Sequence, residues 1–408
     1  MSIPEELKAA AVSAYVQRLG GKPTVLGCAP GRVELLGNHT DYNGGLVMAA
    51  AVDRFTLVAG GPVDGRESRV HSANFDSTHL FDLDTLESGR GSDWPCYVRG
   101  VAWALQEAAS RPLASGFDLA LFGNVPLAAG LSSSASLEAA VACCLLQAGL
   151  VPGRRAADLV DGHADPARME LARVLQHAEN AYVGVASGLL DQFSSLFGRA
   201  DHALYLDCRT LDYARLPLGD PGPAIVVCDS KTSRRLADGM YNRRRAECET
   251  VVTYFQRLRG DAIGALRDVT IEELDGHWDR LDPVGRRRAR HVLTENDRVR
   301  RGAEALRAGD LAEFGRLVSS SHASSRDDFE NSSPALDALI EAAEAAPGFL
   351  GGKLSGAGWA GCTVNLVRPD RAADFAESVR DGYRRSFGVD PEIHICRAAE
   401  GAIGQDLD

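Results

Sequence analysis

Apolar residues recur along the chain with two kinds of spacing. Short apolar runs, typical of buried strands, predict strands at 56–60, 117–123, 203–208, 224–229 and 362–367. Longer stretches with helical spacing predict helices at 4–19, 96–110, 134–148, 166–182, 241–259, 286–307, 310–325 and 334–345. Both kinds of element occur in each half without regular strand–helix alternation. This pattern favours an α+β fold over a doubly wound parallel sheet.

One stretch fits neither spacing. RVELLGNHTDYNGG, residues 32–45, begins with apolar residues and continues with Asn, His, Thr, Asp, Tyr and Asn before two glycines. Core packing does not need so many hydrogen-bonding side chains together, because each would require a buried partner. We therefore expect this run to form part of a binding site.

Composition narrows the possible functions. The chain has 408 residues, 45% of them apolar, and this length predicts two globular domains. Its formal net charge of −12 disfavours general binding to nucleic acid or anionic membrane, because like charges repel. The basic cluster at 286–290 continues into a helix with interleaved acids, so we interpret it as a solvated helix face. The sequence shows no apolar run long enough to span a membrane and no leader segment, and its nine cysteines are scattered. We therefore expect a cytoplasmic protein with reduced thiols.

A second unusual stretch is GNVPLAAGLSSSAS, residues 123–136. It joins a predicted strand to a predicted helix through small residues and three serines, Ser132, Ser133 and Ser134. Small residues let backbone N–H groups approach a ligand, and a helix N-terminus favours an anion such as phosphate. A serine hydroxyl there could also reach Mg²⁺. The alternative is an ordinary helix capped by one of the serines.

A third stretch, GAGWAG at 356–361, matches the Gly-x-Gly-x-x-Gly pattern of dinucleotide sites. That pattern requires a preceding strand and a following helix, whereas CTVNLV after it predicts a strand. We interpret the segment as a glycine-rich turn feeding a strand, either approaching a ligand or forming a plain hairpin.

Taken in this order, the three stretches resemble the signature motifs of the GHMP kinases, and within them those of the galactokinases. APGRVELLGNHTDYNGG resembles the galactokinase signature, PLAAGLSSSAS the phosphate-binding loop and KLSGAGWAGCTV the third motif; the likeness extends to 179–193, 241–248, 321–337 and 398–402. The resemblance implies a two-domain GHMP kinase fold with the active site in the cleft. We predict domains at 1–200 and 201–390, with 390–408 completing the first.

The resemblance also implies a reaction, the transfer of the ATP γ-phosphoryl group to the C1 hydroxyl of galactose, and a set of site residues. Asp191 matches the general base or orienting group, and Arg32 matches its partner, which keeps the carboxylate ionised at the cost of a weaker base. Mg²⁺ would lie between the phosphates, Ser134 and Glu179. The backbone of Gly130, Leu131, Ser132, Ser133 and Ser134 would surround the phosphates, and the sugar would contact Asn38, His39, Asp41, Gly188 and Tyr241.

Two positions depart from the signature, which usually reads APGRVNLIGEHTDYN. This chain has Glu34 where the signature has Asn, and Asn38 where it has the Glu that contacts the sugar's C6 hydroxyl. Either the two groups have exchanged places and still face each other, or Asn38 shifts the preference at C6 and admits a carboxylate there. Alanines at 128, 129, 357 and 360 replace glycines and require ordinary backbone torsions.

Several alternatives stay open at this point. The substrate could be galacturonate or N-acetylgalactosamine rather than galactose, and the chain could be a non-catalytic regulator that binds galactose and ATP. The intact set of Arg32, Ser134, Glu179 and Asp191 favours an enzyme. We expect a monomer whose partners are a small sugar and ATP.

Overall fold

The computed structural model describes residues 3–126, 130–159, 166–185, 187–232 and 239–407. Its helices are α1 (Glu5–Arg18), α2 (Trp94–Ala109), α3 (Ser133–Gln147), α4 (Pro166–His177), α5 (Leu190–Phe197), α6 (Met240–Arg259), α7 (Ile271–Gly276), α8 (Pro283–Arg307), α9 (Leu311–Ser324), α10 (Pro334–Glu344) and α11 (Ala372–Phe387).

The strands are β1 (Val25–Leu36), β2 (Leu46–Val63), β3 (Glu67–Ser72), β4 (Ser77–Asp82), β5 (Gly116–Gly123), β6 (His202–Asp207), β7 (Tyr213–Pro217), β8 (Ala224–Asp229), β9 (Phe349–Leu354), β10 (Cys362–Val367), β11 (Glu392–Cys396) and β12 (Ile403–Asp406).

The strands form two sheets. The first has the order β12-β1-β2-β5-β3-β4, and the long strand β2 also pairs with β6, which pairs with β7. The second has the order β11-β8-β10-β9. Helix α3 packs on β1 and helix α9 on β9, so each sheet carries its own helical layer. The apolar cores of the two halves meet in a cluster that includes Val33, Met48, Val299 and Val364. The α+β fold expected from the apolar spacing is confirmed.

Strand pairing bears on the proposed domain division, which stays a prediction. β12 pairs with β1, so part of the C-terminal segment does complete the first sheet. β11, however, lies in the second sheet, whereas β6 and β7 follow residue 200 and belong to the first. The pairing favours a boundary after Pro217.

The predicted helices all occur, with shifts at their ends. The largest shift concerns 166–182: regular helix ends at His177, and a wider π turn follows at Ala178–Val183. A second π turn, Ser325–Phe329, follows α9. π turns often mark functional sites, and both of these contribute residues to the site described below.

The basic cluster at 286–290 is not a solvated helix face, so that interpretation is wrong. Arg288 is buried and bonds to Glu247 at 2.9 Å and Glu330 at 2.6 Å. The guanidinium groups of Arg286 and Arg290 lie over the ring of Trp278. The cluster therefore joins α8 to α6 and to the π turn at Ser325–Phe329.

Two further expectations concern membrane-spanning helices and the state of the cysteines. No helix among the described residues is both long enough and apolar enough to cross a bilayer. All nine cysteines lie within the described ranges, and none is joined to another by a disulfide.

Candidate active site

Strand β1 carries two charged side chains on one face. Arg32 and Glu34 are two residues apart, and alternate residues of a strand point to the same side. Gly31 lets this strand approach the loop before α3, because a Cβ there would lie 2.7 Å from the carbonyl oxygen of Leu131. The backbone N–H of Arg32 donates to that same carbonyl at 3.0 Å. The first signature stretch therefore contacts the loop before α3 directly; we call residues 130–132 of that loop, with Ser133 and Ser134 at the helix start, the serine loop.

An ion pair lies at this junction. Arg32 Nε and Nη2 donate to Asp191 Oδ1 at 2.7 and 2.6 Å, and Arg32 Nη1 donates to the carbonyl of Gly130 at 2.7 Å. Asp191 lies in the first turn of α5, and its Oδ2 accepts the Ser132 hydroxyl at 2.5 Å. Both carboxylate oxygens are thus held, while about a quarter of the Asp191 side chain, 26%, stays exposed.

A side-chain cap from Ser132, the alternative considered for this helix start, does not form. Ser132 precedes α3 with φ 52°, and its hydroxyl bonds to Asp191 instead of the helix backbone. The first N–H groups of α3 therefore keep no intrahelical acceptor, as at any helix start. The side chain of Leu131 is buried in the core, so this residue contributes only its backbone groups to the loop before α3. Ala128 and Ala129 lie outside the described residues.

A polar pocket opens beside the ion pair. We define it by the side chains and turns that line it: Arg32, Glu34, Asn38, His39, Asp41, Ser187, Gly188, Asp191, Tyr241, Gly356 and Ala357. All the residues expected to contact a sugar are among them. Their individual roles stay predictions.

His39 is held in one neutral form. Its Nε2 donates to the carbonyl of Ala357 at 3.0 Å, so its Nδ1 accepts the hydroxyl of Tyr42 at 3.0 Å. Burial lowers the pKa of His39 to about 3. The ring packs against Phe329 with centroids 4.5 Å apart. His39 is therefore a positioned, uncharged group.

Asp41 forms part of the opposite wall of the polar pocket. Burial, against the hydrogen bond from the Tyr42 backbone and with smaller contributions from the Glu34 and Asp191 charges, raises the pKa of its carboxyl to about 6. Gly188 has no side chain because a Cβ would lie 2.2 Å from Asp41 Oδ2. Burial likewise raises the pKa of the Tyr241 hydroxyl, which stays protonated as a donor.

Asn38 and Glu34 face each other. Asn38 Nδ2 donates to Glu34 Oε1 at 3.0 Å and to the carbonyl of Gly356 at 2.7 Å. Asn38 Oδ1 accepts from Asn331 Nδ2 at 2.8 Å and from the Ser325 hydroxyl at 3.4 Å. The buried Lys353 donates to Glu34 Oε1 at 2.6 Å. This pairing favours the first interpretation of the two departures, in which the groups have exchanged places.

The glycine-rich turn joins β9 to β10 in an antiparallel hairpin, and its backbone also lines the polar pocket. Its approach to a ligand stays a prediction. Its carbonyls at 356 and 357 accept from Asn38, His39 and Asn331. Ala357 and Ala360 are not among the described residues with positive φ, so their methyl groups cause no backbone strain.

Helix α8 anchors the loop at 37–45 between β1 and β2, which we call the signature loop. The sequence did not indicate this contact. Glu295 Oε1 accepts the backbone N–H groups of Gly37 at 2.9 Å and Asn38 at 3.2 Å. The Asn296 side chain accepts the N–H of Leu46 at 2.8 Å, and His291 Nε2 donates to the carbonyl of Asn38 at 3.0 Å. One helix thus holds both ends of the loop.

Glu179 lies in the π turn after α4 and is buried. Burial raises the pKa of its carboxyl, whereas hydrogen bonds from Ser187, Gln192 and Ser134 oppose that rise. Ser134 and Glu179 thus offer adjacent oxygen atoms, the donors that Mg²⁺ prefers. The described residues contain no group of three His, Cys, Asp or Glu that could hold a metal alone.

An aromatic pocket lies beside the α3 N-terminus. Its lining includes Phe75, Trp94, Tyr97, Phe122, Ser133 and Ser134. The rings of Phe75 and Trp94 are stacked with centroids 6.1 Å apart. The aromatic residues come from three separate segments, since Trp94 and Tyr97 lie on α2 while Phe75 and Phe122 lie elsewhere, so no local pattern could have indicated this pocket.

Comparisons with known proteins agree with this geometry. Family models described as GHMP kinases N terminal domain and GHMP kinases C terminal match residues 96–199 and 303–385. A mevalonate kinase from Methanococcus jannaschii has the same fold, with a TM-score of 0.64 at 15% identity over 93% of this chain and 99% of that one. The fold and the site therefore define a GHMP kinase.

Closer relatives narrow this class. The galactokinase galactose-binding signature matches residues 13–62. A galactokinase from Roseiflexus sp. (strain RS-1) is 43% identical over 97% of this chain and 96% of its own length. The crystal structure of Lactococcus lactis galactokinase complexed with galactose has a TM-score of 0.88 and 34% identity, covering 97% and 99% of the two chains. The chain belongs to the galactokinase family and is a sugar kinase.

Proposed function

We propose that the protein transfers the γ-phosphoryl group of ATP to the C1 hydroxyl of galactose, giving galactose 1-phosphate. The observation that carries this proposal is the Arg32–Asp191 ion pair, which lies where the polar pocket meets the loop before α3. A hydroxyl in the pocket and a phosphate at the helix start would meet at Asp191. Membership in the galactokinase family and the likeness to a galactose complex support the choice of sugar.

Asp191 orients the C1 hydroxyl and accepts its proton. The Ser132 and Arg32 contacts hold both carboxylate oxygens, so the side chain is fixed before the sugar arrives. Arg32 also places positive charge beside the group being transferred, where negative charge spreads over the phosphoryl oxygens. Positioning and charge therefore supply most of the catalysis.

Two features support the binding of ATP across the start of α3. The free N–H groups of the first helical turn and the helix dipole favour the phosphates. The aromatic pocket beside them suits a nucleobase, because stacked rings such as Phe75 and Trp94 offer flat apolar surface. ATP would thus lie with its base in the aromatic pocket and its γ-phosphate near Asp191.

Mg²⁺ would be held by Ser134 and Glu179, with phosphate oxygens and water completing its oxygen shell. A bound Mg²⁺ neutralises charge on the phosphates. The Gln192 amide donates to Glu179 Oε2 at 2.8 Å and orients this carboxylate. We further propose that the protein acts as a cytoplasmic monomer.

A panel of sugars with ATP and Mg²⁺ tests the function. We expect ATP consumption with galactose to exceed that with glucose, mannose and N-acetylgalactosamine by at least about tenfold in kcat/KM, because the pocket's fixed donors and acceptors suit one arrangement of hydroxyls. The product, isolated and analysed by ³¹P NMR, should carry phosphate at C1. Binding of galactose and ATP without turnover of any sugar would contradict the proposal and indicate a regulator.

The metal assignment is tested by Glu179→Gln. We expect the Mg²⁺ concentration for half-maximal activity to rise about tenfold or more, since losing an oxygen ligand or its orientation typically costs this much. Glu170→Gln is the matched control, because Glu170 lies on the helix before this turn, is largely exposed, and among the described residues is paired with Arg154. An unchanged Mg²⁺ dependence in the Glu179 variant would remove Glu179 from the metal site.

A further inference from the structure

The exchange of Glu34 and Asn38 leaves the two side chains with different capacities for a ligand. Every hydrogen-bonding position of the Asn38 amide is used: both N–H groups donate, to Glu34 and to Gly356, and Oδ1 accepts from Asn331 and Ser325. Asn38 has therefore nothing left to offer a sugar hydroxyl without breaking a buried bond.

Glu34 differs in this respect. Its Oε1 accepts from Lys353 and Asn38, but its Oε2 has no hydrogen-bond donor among the described residues. Glu34 lines the polar pocket, and an ionised carboxylate only accepts hydrogen bonds. The sugar group that meets Oε2 must consequently be a donor.

The position of Glu34 indicates which part of the sugar it meets. It lies two residues beyond Arg32 on the same face of β1, about 7 Å along the strand. A pyranose whose C1 hydroxyl is at Asp191 would present the far half of its ring there. The C6 hydroxyl stands one carbon outside that ring and reaches furthest.

We propose that Glu34, held by the buried Lys353, accepts the C6 hydroxyl of the substrate and excludes sugars with a carboxylate at C6. This inference rests on the proposed function and reverses the interpretation that Asn38 admits galacturonate. Lys353 is fully buried and balances the charge of Glu34, so the fixed acceptor exists before the sugar binds. A uronate would bring a second carboxylate against Oε2 without a new cation, and such like-charge contacts weaken binding by about 10²-fold or more.

The test compares galactose, 6-deoxygalactose and galacturonate in the wild type and in Glu34→Gln. We expect the wild type to prefer galactose over galacturonate by about 10²-fold or more in kcat/KM, and over 6-deoxygalactose by about tenfold or more. In Glu34→Gln the galactose-to-galacturonate ratio should fall at least about tenfold, because the repelling charge is gone. Glu341→Gln, which removes one exposed acid from α10, is the matched control.

Two additions keep the test decisive. The single variant leaves Lys353 without its partner and could fail to fold. The double variant Glu34→Gln/Lys353→Met removes the whole ion pair, and it should show the same loss of discrimination. Asn38→Ala, which keeps Glu34, should retain the preference against galacturonate even if its activity falls. Sugar binding is measured by thermal shift in parallel, so selectivity can be scored without turnover.

The outcomes separate the inference from the function. Turnover of galactose with an unchanged ratio in both Glu34 variants would overturn the inference and leave the function standing. Equal use of galactose and 6-deoxygalactose by the wild type would overturn the C6 assignment. If no sugar is phosphorylated, the proposed function fails, and the ratio of binding constants alone decides whether Glu34 discriminates.

Discussion

Asp191→Asn is expected to lower kcat about 10³-fold, because a positioned proton acceptor typically contributes about 10²- to 10⁴-fold. The asparagine keeps the size of the side chain and one oxygen that can accept from Arg32 or Ser132. KM for galactose and for ATP should therefore change by no more than about threefold, which is the pattern expected when an interaction of the transition state alone is lost.

The measurement is steady-state kinetics with galactose and ATP varied separately, together with thermal unfolding of each variant. Asp381→Asn, an exposed acid on α11, serves as the matched control and should behave as the wild type. A kcat within about tenfold of the wild type in Asp191→Asn would show that the carboxylate orients the hydroxyl but is not needed as a base. A large rise in KM with normal kcat would assign it to ground-state binding instead.

The kinetic prediction depends on an arrangement that the sequence anticipated only in part. The resemblance of the motifs to those of the galactokinases predicted that Arg32, Asp191 and the serine loop lie at one site. The sequence did not predict that the Ser132 hydroxyl would bond to Asp191 instead of capping α3. Serine at a helix start usually caps it, and only the long-range approach of α5 offers the competing acceptor.

Strand prediction failed at β1, Val25–Leu36, although the equally buried β10 was predicted from its apolar run. Every residue of β1 is buried, so it shows no alternation, and glycines, a proline and two charged residues interrupt its apolar run. Its charged residues, Arg32 and Glu34, look like loop residues in the sequence because their partners, Asp191 and Lys353, lie far away along the chain. Local spacing cannot indicate such pairs.

The same limit explains the error at 286–290 and the missed role of Glu295. Arginines and glutamates spaced along a helix are usually solvent-exposed, so the sequence favours a solvated face. In α8 several of them turn inward, toward α6 and the signature loop. Helix positions were predictable from local spacing, whereas the partners of buried charges were not.

Glu295 is a buried charge whose loss should lower stability strongly. It is fully buried and bonds to the N–H groups of Gly37 and Asn38, to the Ser321 hydroxyl at 2.6 Å and to Arg298 at 2.5 Å. Glu295→Ala would leave these donors and the Arg298 cation without their acceptor. We expect the free energy of unfolding to fall by about 3–5 kcal/mol, the usual cost of removing one partner from a buried ion pair.

Chemical denaturation at neutral pH measures this loss. Glu304→Ala lies on the same helix but on its exposed side, and should change stability by no more than about 0.5 kcal/mol. Because the signature loop would lose its anchor, KM for the sugar should rise in Glu295→Ala as well. A free energy of unfolding within about 1 kcal/mol of that of the Glu304 variant would contradict the anchoring role.

The pH dependence supplies an independent check. Burial alone would raise the pKa of Glu295, but the Arg298, His291 and Lys353 charges and the Ser321 hydroxyl outweigh it and lower the pKa to about 2. A carboxyl with a depressed pKa stabilises the fold fully above its unfolded pKa of about 4.3 and loses this contribution as the pH falls toward the folded value. The stability difference between the wild type and Glu295→Gln should therefore be constant from about pH 5.5 to 8 and shrink between about pH 4.3 and 2. If the difference instead grew as the pH fell, the carboxylate form would not be the one that holds the loop.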